Sequence, residues 1–241
     1  MRTTGIDPAV SVGVPRAARD AGLRSYMLSV YNYMASGVLL TGIVALLFAP
    51  YARDVLVNAA GTGMSLTGWL IILSPLGFVL VMNFGVARMQ TRTLQLLFWA
   101  FAAVMGLSMS TIFIAYTGVS IAQTFFATAA AYLGLSLYGY TTKRDLSGLG
   151  TFLIMGVVGL LVAMLVNLFL QSSTMALLIS GIGVLLFAGL TAYDTQRIKS
   201  MYAYVAGSDM QGKVVIMGAL SLYLDFINMF QFLLSFMGDR R

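Results

Sequence analysis

Four stretches of this chain run for 28 to 50 residues without a charged side chain: Ser25 to Ala52, Val55 to Ala87, Thr93 to Thr142 and Leu146 to Tyr193. A fifth, Val214 to Gly238, holds 25 residues and a single charge, Asp225. Runs of this length cross a bilayer at about 20 residues per helix, and in hydrocarbon a spanning segment must satisfy its own backbone polar groups. The chain is therefore an all-α polytopic membrane protein. Composition agrees, because 59% hydrophobic and 9% charged residues leave too little charge for an ordinary soluble domain.

The windows also count the helices. The first two hold one crossing each. In the 50-residue window, Tyr116-Thr117-Gly118 places a turn near the middle, giving helices near Thr93 to Tyr116 and Ser120 to Tyr140. Gln171-Ser172-Ser173-Thr174 divides the 48-residue window into Leu149 to Leu170 and Met175 to Tyr193. With the Asp225 segment the total is seven. Residues 1–24 carry two prolines and four arginines without an apolar core, so they read as a mobile basic cytoplasmic arm, followed by a single membrane domain over 25–241.

Lysine and arginine predict the orientation. With the N-terminus inside, 11 of the 14 cations fall on the cytoplasmic side, leaving Arg53, Arg240 and Arg241 outside. The net charge of +6 is then explained by topology and anionic lipid, with no need for nucleic acid. The last segment has neither Pro nor Gly between Ala219 and Met237, so a full crossing is expected over a re-entrant loop.

A carboxylate near the centre of a spanning helix costs roughly 2.5 to 3.5 kcal/mol on insertion scales, and such residues mark ion or proton paths. Asp225 is the leading site residue on that ground. Ser221, Asp225, Asn228 and Ser235 fall at i, i+4, i+7 and i+14, so one face of the last helix is polar and turns inward. Small residues, Gly106 with Ser110, Ala130 with Gly134, and Gly156, Gly159 and Ala163 with Asn167, suggest close packing faces on the third, fourth and fifth helices. A second acid, Asp194, lies near the expected end of the sixth helix with Arg197 at i+3, where the two could pair at the interface. With Asp194 at a helix end and Asp225 mid-segment, bringing them side by side requires the last helix to be displaced, tilted or broken.

Several chemistries are excluded by what is absent. The eight acids are all Asp, and there is no His or Cys, which removes disulfides, thiolate and imidazole metal sites, and Cys or His catalysis. Lys143, Lys199 and Lys213 lie in loops or at helix ends, so no buried Schiff-base lysine supports a retinal pump. Serines without an activating base make no hydrolase, and two Asp in unmatched contexts argue against an intramembrane aspartyl protease. The chain is not expected to be an enzyme or to hold a cofactor.

Gly106-Leu-Ser-Met-Ser-Thr-Ile-Phe, Tyr138-Gly-Tyr-Thr-Thr-Lys-Arg-Asp145-Leu-Ser-Gly-Leu-Gly150, Ala192-Tyr-Asp194-Thr-Gln-Arg-Ile-Lys199 and Leu222-Tyr-Leu-Asp225-Phe-Ile-Asn228 together resemble the Bax inhibitor-1 (transmembrane Bax inhibitor motif) family in its bacterial branch. The resemblance covers nearly everything after the arm. It implies a seventh helix at the centre, wrapped by the other six, in a bacterial inner membrane protein. It also implies a pH-sensitive calcium leak, with calcium as permeant ion and transient ligand of Asp194 and Asp225, whose carboxylates sense protons and latch the pore. An arginine of the second helix contacts the pair in that family, and Arg88 is the candidate here. With no Glu in the chain, any second-helix glutamate used by relatives is missing.

The chemistry of such a pair follows from charge alone. Two carboxylates in a poorly solvated place cannot both ionise cheaply, so one proton is shared between them. Its loss turns a clasp into a repelling dianion and offers hard oxygens to a divalent cation. Arg197, Asn228 and Ser221 are the supporting groups nearest in sequence. The alternative reading, again from the resemblance, is a stress-response interaction protein that modulates a membrane-bound protease or another membrane partner.

Overall fold

The computed structural model describes residues 16–58, 60–61 and 63–240. Its regular elements are α1 (Arg16–Leu56), α2 (Leu66–Gly85), α3 (Thr91–Met109), α4 (Ile112–Ala115), α5 (Gly118–Thr141), α6 (Ser147–Leu170), α7 (Ser173–Val205) and α8 (Met210–Met237). Seven helices are long and apolar enough to cross a membrane, with α4 continuing the span begun by α3.

The turn signals lie where the helices change. The Thr117 hydroxyl caps α5 by accepting from Ser120 N–H at 3.3 Å, and Ser172 caps α7 through Met175 N–H at 3.3 Å. The α1–α2 connection closes on Asn58 N–H donating to Gly63 C=O at 2.9 Å. Ser65 then caps α2 through Gly68 N–H at 2.9 Å.

The centre of the bundle is α8. In its most apolar window 72% of the residues are buried, against 11 to 39% in the other six spans. It packs directly on α1, α3, α5 and α7, whereas α2 packs on α3 and α6 on α7 in an outer layer. One α8 face is apolar and aromatic: Tyr223 packs edge-on to Phe98 and Phe101 of α3, and Phe226 packs edge-on to Tyr132 and Phe125 of α5. As α8 is unbroken for 28 residues, about 42 Å, it is long enough to cross fully. Its C-terminal end is held to the start of α5, where Asp239 N–H donates to the Ser120 hydroxyl at 2.9 Å.

Three expectations change. Residues 16–24 are the opening turns of α1, so the helix begins well inside the stretch assigned to the arm. There Leu23 packs on the core and a Cβ on Gly22 would strike the Tyr202 hydroxyl; the remainder of the expected arm, 1–15, lies outside the described residues. The sixth spanning helix, α7, does not stop near Tyr193 but runs on to Val205. The hydroxyl of Tyr26 donates to Ile198 C=O at 3.3 Å and braces the extension against α1. Ala130 and Gly134 are exposed on the outer surface of α5, with nothing within 4 Å of a Cβ built on Gly134, so they form no helix interface among the described residues. Gly106 does, approaching the Thr41 carbonyl of α1 closely.

Candidate functional site: a carboxylate pair in the α7/α8 seam

The extension of α7 resolves how Asp194 meets Asp225. The two helices are antiparallel and joined by a four-residue turn. Asp194 lies about 16 Å along α7 from that turn and Asp225 about 22 Å along α8, at 1.5 Å per residue. No displacement, tilt or break of α8 is required, contrary to expectation. A stacked ring pair fixes the same register. Phe187 and Phe232 stack with centroids 5.8 Å apart, seven residues from Asp194 on one helix and from Asp225 on the other, about 10 Å away. Toward the far end, the Ser180 hydroxyl donates to that of Ser235 at 3.0 Å. The polar stripe read on the last helix therefore faces α7.

Both acids are buried, Asp225 to 4% exposure and Asp194 to 9%, and their charges are close enough to repel. Asp225 Oδ2 is fully enclosed and has no hydrogen-bond partner among the described residues. The Arg197 guanidinium is 3.5 Å from Asp194 Oδ1, with its side chain 52% exposed. This i, i+3 pair is the ion contact anticipated at a helix end, but it sits within α7 and its charge also reaches Asp225.

Around the acids runs a hydroxyl network that the sequence reading missed. Tyr31 of α1 and Ser136 of α5 are hydrogen-bonded at 2.6 Å. Ser136 and Thr195 of α7 are bonded at 3.0 Å, and Thr195 donates to Thr191 C=O at 2.7 Å. Tyr132, one turn from Ser136, donates to Leu222 C=O at 3.3 Å and lies near both carboxylates. The available signal was periodic: Ser120, Thr124, Thr128, Tyr132 and Ser136 recur every four residues on α5, and all are buried. Gly139 continues that face, where a Cβ would come within 2.2 Å of the Ala192 carbonyl oxygen. Only glycine lets α5 lie this close to α7.

The other expected residues separate. Asn228, half-buried, donates to Leu224 C=O at 2.8 Å within its own helix. Ser221 is half-buried one turn from Asp225. Arg88 does not reach the pair. Since α2 ends at Gly85, Arg88 lies exposed in the turn to α3, beside Ala87, whose carbonyl accepts from Lys213 Nζ at 3.4 Å. Asp225 lies twelve residues deeper than Lys213, about 18 Å. The arginine at the pair is Arg197.

On the N-terminal side of the acids a cavity of about 320 Å³ is lined by Arg197, Lys143, Arg144 and Asp145. Hydrogen bonds from the Ser147 side chain and then its N–H, the latter at 2.9 Å, hold the Asp145 carboxyl below the usual carboxylate range. Toward the opposite face lies a cavity of about 550 Å³ between α6, α7 and α8, reaching Asn228. Among the described residues no three acids cluster as a metal site. Two carboxylates supply far fewer than the six to eight oxygens that a resident calcium takes.

Residues 23–241 match the family described as "Inhibitor of apoptosis-promoting Bax1". The chain belongs to the Bax inhibitor-1 family. It is 48% identical over 225 residues to an uncharacterised protein of Rickettsia prowazekii, covering 92% of each chain. It is 43% identical over 223 residues to the inner membrane protein YbhL of Escherichia coli, covering 92% of this chain and 94% of that one. An uncharacterised protein of Caulobacter vibrioides is 45% identical over 229 residues, covering 92% and 91%. The family match spans α1 from Leu23 and every later helix, including both acid helices.

Proposed function

We propose that this protein is a pH-sensitive calcium leak of the inner membrane, in which Asp194 and Asp225 share a proton that holds α7 and α8 together. The observation that carries the reading is the enclosed Asp225 Oδ2, which has no hydrogen-bond partner among the described residues, in a carboxylate close enough to a second buried acid, Asp194, for the two charges to repel. Burying an unpaired carboxylate is costly, and Arg197, which pairs with Asp194, is half in solvent. A single proton on the pair lowers that cost. When it leaves, two negative charges repel, and a pair brought to about 4 Å would do so by on the order of 4 kcal/mol at an effective dielectric near 20. That is enough to shift a two-state equilibrium by about a thousandfold. The dianion is at the same time a weak two-carboxylate ligand for a divalent cation.

The N-terminal face is taken as cytoplasmic. Of the eleven Lys and Arg whose side chains are described, nine lie toward that face, and Arg53 and Arg240 toward the other. The test is calcium flux into proteoliposomes across a pH series. The wild type should conduct more as pH rises through the transition, and Asp225→Asn should lose most of that dependence. A wild type without calcium flux, or an unchanged profile in Asp225→Asn, would refute the reading.

A further inference from the structure

The 550 Å³ cavity between α6, α7 and α8 differs in kind from a second apolar space in the bundle. The second, about 370 Å³ between α1, α3, α4, α5 and α8, has Thr41 as its one side chain with a polar group, the rest being aliphatic or aromatic residues and glycine. The first carries four amides, Asn167, Gln171, Asn228 and Gln231, and two hydroxyls, Ser180 and Ser235. Lipid tails cannot satisfy amides. An amide without a partner in hydrocarbon costs several kcal/mol, and Gln231 has no hydrogen bond to any described residue. Asn228 spends its donor on its own helix, leaving its oxygen for the cavity.

The shape gives the direction. Gln171 sits at the end of α6 on the face away from the α7–α8 turn, with φ of 50°, the only non-glycine among the described residues with positive φ. Glycine or asparagine is usual at such a C-terminal cap. Glutamine there instead carries an amide into the cavity lining. From that end the cavity reaches inward to Asn228, one helical turn from Asp225. Phe187 of α7 lines the cavity, and buried Leu190 stands one turn further along that helix, between it and Asp194.

We propose that this cavity is a water-filled vestibule on the far face, through which a hydrated cation reaches the acid pair. Its neutral oxygens would coordinate a cation weakly, as permeation requires, and at about 30 Å³ per water it has room for roughly ten to twenty. The cation route rests on the leak reading above. The wetness of the cavity does not.

The chain has no cysteine, so single-cysteine variants need no altered background. Gln231→Cys and Ser235→Cys place a thiol in the vestibule; Gly42→Cys, in the apolar cavity, and Leu165→Cys, exposed on the outer surface of α6, serve as controls. The probe is a charged, membrane-impermeant methanethiosulfonate applied from the far face. It reacts with thiolate, which apolar surroundings suppress about tenfold per unit of thiol pKa. Gln231→Cys and Ser235→Cys should react at least about tenfold faster than the controls, and modification should cut calcium flux severalfold. Reaction no faster than Leu165→Cys would show a lipid-filled cavity and overturn the proposal. Fast reaction with flux unchanged would make it a wet dead end and overturn the cation route. Fast reaction in a chain that passes no calcium would refute the leak and uphold the vestibule as wet.

Discussion

Replacing Gly139 by alanine puts a methyl carbon 2.2 Å from the Ala192 carbonyl oxygen and 2.9 Å from its carbonyl carbon, both backbone atoms that cannot rotate away. Since C···O contacts are comfortable only from about 3.3 Å, α5 and α7 must part by about 1 Å. The Ser136–Thr195 hydrogen bond, about one turn away at 3.0 Å, then stretches toward 4 Å and is lost. Overpacking of this kind costs about 1 to 3 kcal/mol. A side-chain hydrogen bond between membrane helices adds roughly 0.6 kcal/mol. The expected loss is about 2 to 4 kcal/mol, read by reversible denaturant unfolding in mixed micelles. A double-mutant cycle makes the geometry testable. In the wild type, Ser136→Ala removes bonds to Tyr31 and Thr195 and should cost about 1 kcal/mol; in Gly139→Ala one of those bonds is already gone, so it should cost about half as much. Gly139→Ala within about 0.5 kcal/mol of the wild type, or Ser136→Ala costing the same in both backgrounds, would refute the close α5–α7 approach beside the acids.

Other outcomes follow from the same site. Asp194→Asn and Asp225→Asn should abolish the same pH transition in calcium flux, with little further change in the double variant, because coupled groups are not additive; independent and additive shifts would dissolve the pair. Arg197→Gln removes the cation 3.5 Å from Asp194 and so stabilises the protonated, closed pair. Flux should then begin at higher pH, whereas Arg88→Gln should leave the profile where it is. A reporter active only in the cytoplasm, fused after Arg241, should be silent, since seven crossings separate the two ends.

The span count was legible because charge is expensive in hydrocarbon, and two helix breaks were legible because Thr117 and Ser172 are N-caps. The length of α7 was not. Arg197 and Lys199 look like the end of a helix in sequence, yet α7 continues, with Lys199 turning back to donate to Tyr140 C=O at 2.7 Å while lying over the Tyr140 ring. Amphipathic cations of this kind extend a helix past the apolar window. That one misjudged boundary is why the two acids looked mismatched in depth. Asp225 was visible as an isolated charge, and the polar α8 face was visible as a repeat. The hydroxyl ladder on α5 was not recognised, because serine and threonine are common in spanning helices and only burial distinguishes Thr128, at 0% exposure, from exposed Thr141. Arg88 could not be placed without the exact end of α2.

The shared proton is tested most directly by infrared difference spectroscopy of the protein in lipid, following the protonated-carboxyl C=O band across the pH range in which flux appears. A band that disappears over that interval in the wild type and is missing from the Asp194→Asn/Asp225→Asn double variant is the expected result. A wild type whose carboxyl band does not change there, or a double variant that keeps the same change, would contradict a proton held between Asp194 and Asp225.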